Sequence, residues 1–131
     1  MTTKSEIEAL ALKIEKDDDD GAFYEAEREV GLALGLWRDT GRGTFVCGDE
    51  EFVDHRGGVY PSLLESLDVG VAAIGKILPG WEWLKKTPRV ITLYRPPAGK
   101  DFAVHIDGTG LNDARALCVA MLRAYASTLE A

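Results

Sequence analysis

Apolar positions recur with two different periods along this chain, and the change of period marks its elements. Ile7, Leu10, Ala11 and Ile14 fall at i, i+3, i+4 and i+7, the spacing that lines one face of an α-helix. Thr3 and Glu6 precede them at capping-box spacing, so each side chain can satisfy a free amide of the first turn. Asp17, Asp18, Asp19 and Asp20 end this helix, because like negative charges at a C-terminus oppose the helix dipole. Phe23, Ala26, Val30 and Leu34 mark a second helix over residues 22–34, with Asp20 as N-cap and Gly35 just past its end. Together the two predict an αα-hairpin. A third helical stripe, Leu64, Leu67, Val71, Ile74 and Leu78, gives a helix over residues 62–78. Ser62 and Glu65 open it as a second capping box, and Pro79-Gly80 stops it.

The period then falls to two. Residues 81–85, 90–94 and 102–106 read as strands, with Trp81 and Trp83 on one face and Glu82 on the other. In the third run, Phe102, Val104 and Ile106 alternate with Ala103 and His105. The connections, Thr87-Pro88 and Pro96-Pro97-Ala98-Gly99, favour turns, and such short links predict an antiparallel meander. One face of this sheet is apolar and must be covered. The first candidate for the cover is a last helix, capped by Asn112 after Gly108-Thr109-Gly110, with Ala114, Leu117, Cys118, Met121 and Tyr125 on one side, and the helix over residues 62–78 is the second. Residues 36–60 carry weaker signals. Thr40-Gly41-Arg42-Gly43 and Arg56-Gly57-Gly58 are turns, and residues 44–47 and 51–53 form either a small hairpin or an irregular loop.

The predicted fold class is therefore α+β: an N-terminal αα-hairpin (1–35), a loop or small hairpin (36–60), and an α-β-β-β-α module (61–131) with a three-stranded antiparallel meander packed against helices. At 131 residues this is one domain. Apolar residues make up 46% and charged ones 28%, which suits a globular chain that needs no metal or disulfide to fold. No apolar run approaches the roughly 20 residues of a membrane span. The opening MTTKSEIEAL has no basic region followed by an apolar core, so no signal peptide is expected and the expected compartment is the cytoplasm. Cys47 and Cys118 make no disulfide framework there.

Charge changes the picture more. The net charge is −7. Residues 1–58 hold 15 acidic and 7 basic side chains, whereas residues 59–131 hold 7 and 8. An acidic half argues against broad nucleic-acid binding, which relies on Lys and Arg against phosphate. It suits docking onto a basic surface. Asp17, Asp18, Asp19, Asp20, Asp49, Glu50 and Glu51 are the candidate partner-binding residues on that reading. Asp18, Asp20, Gly21 and Glu27 also match positions 3, 5, 6 and 12 of an EF-hand loop, but Lys16 stands at position 1, so the run reads as an acidic turn and no metal is expected.

Other chemistry is thinner. His55 and His105 lack a Ser or Cys nucleophile at recognisable spacing, so no enzyme is expected. Gly108-Thr109-Gly110 before a helix has the look of a phosphate turn, without the third Gly of a dinucleotide pattern. It reads as a flexible strand-to-helix turn. Trp81, Trp83 and Tyr94, with Lys85, Lys86, Arg89, Arg95 and Lys100 nearby, could stack and grip bases. An alternative ligand site therefore comprises Trp81, Trp83, Arg89, Arg95 and His105. A nucleotide-binding sponge would add residues 108–110 and would be a homo-oligomer. The α-β-β-β-α order is also that of double-stranded RNA-binding domains. Their lysine-rich last-helix start is replaced here by Asn112-Asp113-Ala114-Arg115.

Several stretches resemble a known family. They are Tyr60-Pro61-Ser62-Leu63 with Leu67-Asp68, then Leu78-Pro79-Gly80-Trp81-Glu82-Trp83, then the small-residue helix from Ala114 through Ala124, and Leu34-Gly35-Leu36 in the front half. They look like the phage α-β-α sandwich domain of small bacteriophage and prophage proteins. The resemblance implies a phage origin, a sheet packed between helices, and a bacterial host cell as the compartment. It carries over no catalytic residue and no cofactor. The expected function is a non-enzymatic accessory protein that binds a host protein or protein–nucleic-acid complex. An inhibitor of a host defence system, of anti-CRISPR type, is one case.

Overall fold

The computed structural model describes residues 3–16, 23–42, 44–47, 50–52, 63–64, 66–97 and 103–129, with only the backbone described at 23–27, 47 and 50–52. Its elements are α1 (Lys4–Lys16), α2 (Phe23–Ala33), β1 (Arg38–Asp39), β2 (Phe45–Cys47), β3 (Glu50–Phe52), α3 (Leu67–Ile77), β4 (Glu82–Thr87), β5 (Val90–Arg95), β6 (Val104–Thr109) and α4 (Asp113–Thr128). The α+β class and the helix–meander–helix order stand as the periodicity predicts.

Local chemistry accounts for most boundaries. The Thr3 hydroxyl accepts the Glu6 amide at 3.2 Å and opens α1, whose Ile7, Leu10, Ala11 and Ile14 are all buried. α2 ends in a left-handed Gly35 (φ 71°), with the Leu36 amide returning to the Gly31 carbonyl and the Gly35 amide to Leu32. That pair of bonds is a Schellman motif, and glycine adopts the required φ without steric cost.

α3 begins later than its sequence stripe suggests. Its N-cap is Ser66, whose hydroxyl accepts the Val69 amide, with Asp68 in the first turn. Ser62 and Glu65 lie outside the described residues. Leu63 and Leu64 form a turn, yet both are 1% exposed. Burial of Leu64 in the common core mimics a helical phase that the backbone has not yet entered. Asn112 caps α4 as expected, accepting the Arg115 amide at 2.8 Å.

The main sheet is antiparallel in the order β4-β5-β6. A second small antiparallel sheet, β1-β2-β3, contains a hairpin of β2 and β3, one of the two readings left open for residues 44–53, plus a two-residue strand that short length hid from sequence reading. Trp37 and Phe45, rings 5.7 Å apart, form its own small core.

β6 runs to Thr109, three residues past the sequence estimate, so Gly108 and Thr109 belong to a strand and not to a flexible turn. The reason lies in packing. A Cβ at Gly108 would collide with the Ala116 carbonyl and the Ala120 amide of α4. Glycine lets strand and helix backbones approach there.

α4 is the centre of the molecule. Every residue from Ala114 to Leu122 is buried, because one side faces β5 and β6 while α1 and α3 pack on others. Ile91 and Leu93 from the sheet, Ile7 and Ile14 from α1, and Ile74 from α3 join it in one core. Among the described residues the sheet is not packed between helices as the family resemblance implies: α4 is the layer next to it, and on the other face Glu82, Leu84, Lys86, His105 and Asp107 are all exposed.

Candidate functional site

Period-two alternation and the strand register build this open face in rows. Paired residues on neighbouring antiparallel strands point to the same side. Glu82, Tyr94 and His105 form one row across β4, β5 and β6. Leu84, Thr92 and Asp107 form the next. Lys86 continues the alternation of Glu82 and Leu84 to the same side, where its ammonium meets Asp107, and a bulge between Lys85 and Thr87 follows.

The contacts within these rows are specific. Tyr94 and His105 stack with ring centroids 5.7 Å apart and planes 16° from parallel. Tyr94 also hydrogen-bonds the Glu82 carboxylate. That bond, with partial burial and the Glu82 charge, raises the phenol pKa above its ordinary value. Thr92 donates to Asp107 Oδ1 at 2.6 Å, and Lys86 Nζ donates to Oδ2 at 3.2 Å. The Thr92 bond first, then Lys86, hold the Asp107 carboxyl below its usual range against the cost of burial. The face is therefore a mixed-charge surface with an aromatic pair at one row and Leu84, 44% exposed, at the next.

Such a surface is open, not concave. It offers stacking, hydrogen-bond donors and fixed charges, but it does not exclude water as an acid–base reaction between Tyr94, His105 and a carboxylate would require. Two hollows lie elsewhere. A groove of about 180 Å³ between the end of α2 and α3 is lined by Leu36, Trp37, Leu63, Val69, Ala72, Ala73 and Lys76. It falls below the volume typical of a cofactor pocket. An open cleft of about 550 Å³ runs beside α1 and α4, lined by Lys4, Glu8, Ala9, Leu12, Arg123 and Ser127. Among the described residues there is no group of three or more His, Cys, Asp or Glu that could hold a metal ion. Nor is any helix among them long and apolar enough to cross a membrane.

The sequence-derived candidates scatter. Asp17, Asp18, Asp19, Asp20, Asp49 and His55 lie outside the described residues, and Glu50 and Glu51 sit in β3 with only their backbone described. Trp81 and Trp83 are half-buried against the core, and Trp83 pairs with the fully buried Leu93. Arg95 shares that helix-facing side, at the far end of β5 from the turn that exposes Arg89. His105 is on the opposite face. These five therefore do not converge, and Gly108, packed on α4, leaves no phosphate turn beside them. Arg115, the one base at the α4 start, is 2% exposed, and Asp113 pairs with Lys85 at 3.1 Å. The helix end that grips phosphate in double-stranded RNA-binding domains is thus not presented here.

Sequence reading places His105 off the apolar face but does not join it to Tyr94, because strand register is a tertiary quantity. It also misses a polar clamp between distant segments. Arg123 of α4 grips both oxygens of Glu15 at 2.7 and 2.9 Å, and the Thr109 hydroxyl adds a third bond at 2.7 Å. Arg123 also donates to the Asp107 carbonyl, so α4 satisfies a backbone acceptor of β6.

Comparison with known proteins brings no relative to this geometry: no family model, curated protein or solved structure matches the chain.

Proposed function

We propose that this protein is a non-enzymatic binding module that docks a partner macromolecule on the open face of its β4-β5-β6 sheet. The observation that carries this reading is the Tyr94–His105 stack beside exposed Leu84, rimmed by Glu82, Lys86 and Asp107. An antiparallel sheet tolerates water on one face, but aromatic and aliphatic anchors within a charged rim are the composition of a protein interface. Taken with the resemblance to small phage proteins, the partner is a host protein or protein–nucleic-acid complex, and inhibition of a host defence system is the leading case. The acidic residues 17–20 and 49–51 supply long-range attraction toward a basic partner, while the sheet face supplies the contact.

A photo-crosslinking residue at position 84 tests this in host cells. The expected result is one dominant adduct that is lost with Tyr94→Ala and kept with Lys76→Ala, on the far side of the fold. An adduct indifferent to Tyr94→Ala, or none at all, refutes docking on this face.

A further inference from the structure

We propose that β4 is a self-complementary edge and that two copies of this chain pair there, antiparallel, to form one six-stranded sheet. β4 ends the sheet order β4-β5-β6, and among the described residues no element pairs with its outer edge. On the other outer strand, β6, the Asp107 carbonyl accepts from Arg123 and the Thr109 hydroxyl donates to Glu15. The exposed edge is six residues long and carries Leu84, one of the few exposed large apolar side chains among the described residues. An uncovered edge of this kind is a template for another strand.

The side chains choose both the partner and the register. A two-fold axis perpendicular to the sheet keeps the open faces of both copies on the same side, so residues pair only with residues of the same face. Centring the axis on Leu84 sets Leu84 against Leu84 of the second copy. The same register sets Glu82 against Lys86, and Lys86 against Glu82, on the open face. On the other face each Trp83 meets Lys85, whose stem can cover the ring while its ammonium holds Asp113. Centring on Lys85 would set two lysines directly opposite each other, and centring on Trp83 would set Glu82 against Leu84. Only the Leu84 register joins opposite charges and like apolar groups at once. Lys86 already lies on this face by alternation and reaches Asp107 at 3.2 Å, so it is shared between its own Asp107 and the second copy's Glu82.

Pairing along the five residues 82–86 buries less area than a standard stable interface, so the dimer is weak and concentration-dependent. It would set two Tyr94–His105 stacks on one continuous platform. Its register uses Glu82, Leu84 and Lys86, which also lie on the proposed docking face, but its readout is self-association, which docking of a partner does not require.

The test is sedimentation equilibrium of the full chain from about 10 µM to about 1 mM, a range that spans weak association. A monomer–dimer equilibrium is expected. Glu82→Lys and Lys86→Glu each weaken it by about tenfold or more, because each single change puts like charges opposite each other. Mixing the two single variants restores a dimer, because a chain with lysine at both positions then faces a chain with glutamate at both. The double variant Glu82→Lys with Lys86→Glu also dimerises. Circular dichroism of each variant checks that its fold is kept. A wild-type monomer throughout the range, a dimer insensitive to both charges, or a mixture that does not associate overturns the proposal.

Discussion

Arg115 and Gly108 show how much a single residue of α4 or its neighbour can carry. Arg115 is 2% exposed, and its Nε has no hydrogen-bond acceptor among the described residues. A buried donor left without a partner costs about 1–3 kcal/mol. Arg115→Met removes that donor and keeps much of the side-chain volume, so it is expected to raise stability by about 1 kcal/mol in urea unfolding. A lower midpoint would mean that the guanidinium contributes more than its geometry shows. At Gly108 the direction is opposite. A side chain there meets the backbone of α4, which cannot rotate away, with Ala120 Cα only 2.9 Å from the added Cβ. Gly108→Val should cost about 2 kcal/mol or more by overpacking. Unfolding at the wild-type midpoint would show that β6 and α4 separate at little cost.

Between elements, the Glu15–Arg123–Thr109 clamp joins α1, α4 and β6 although its members are far apart in the chain. The bond to Arg123 above all, then that to Thr109, lowers the Glu15 pKa below its ordinary value despite partial burial. The sign follows from linkage. A depressed carboxyl contributes stability above its unfolded pKa and loses it as pH falls through the folded one. Glu15→Gln should therefore cost about 1–2 kcal/mol at pH 7, and the gap from wild type should close on acidification below about pH 4. A gap that is constant with pH would assign the loss to packing instead. The small β1-β2-β3 sheet is a different case. Its strands are two or three residues long, and Trp37 with Phe45 is its own core cluster. Its amides should exchange with solvent faster than those of β5, and Phe45→Ala should speed them further without changing β5. Equal protection of the two sheets would show that they open together.

Across the whole molecule, a single buried helix sets the layers. α4 packs on the sheet and on both α1 and α3, so a cavity in it weakens every layer. Leu117→Ala, at a 0% exposed position touching Gly70, should cost about 2–5 kcal/mol and lower the unfolding transitions of tryptophan fluorescence and circular dichroism together. Separate transitions would mean that the layers fold independently. Much of this arrangement is written locally. The Thr3 and Asn112 caps, the stop after Leu34, and the alternation from Glu82 to Arg95 each depend on neighbours a few residues away, so the four helices, the β4-β5-β6 meander and the α+β class follow from the chain alone, whereas β1 does not. Ser66 in place of Ser62 as the α3 cap shows the limit of that reading: two serines offer similar local signals, and core packing of Leu63 and Leu64 goes with the later start. What only the tertiary structure decided is which residues meet. Register brought Tyr94 to His105 and Thr92 to Asp107, a helix backbone required Gly108 to be bare, and the crossing of α1 over α4 joined Glu15 to Arg123. Periodicity states that a side chain faces inward or outward; the partner across the gap depends on strand register and helix crossing, which non-local packing sets.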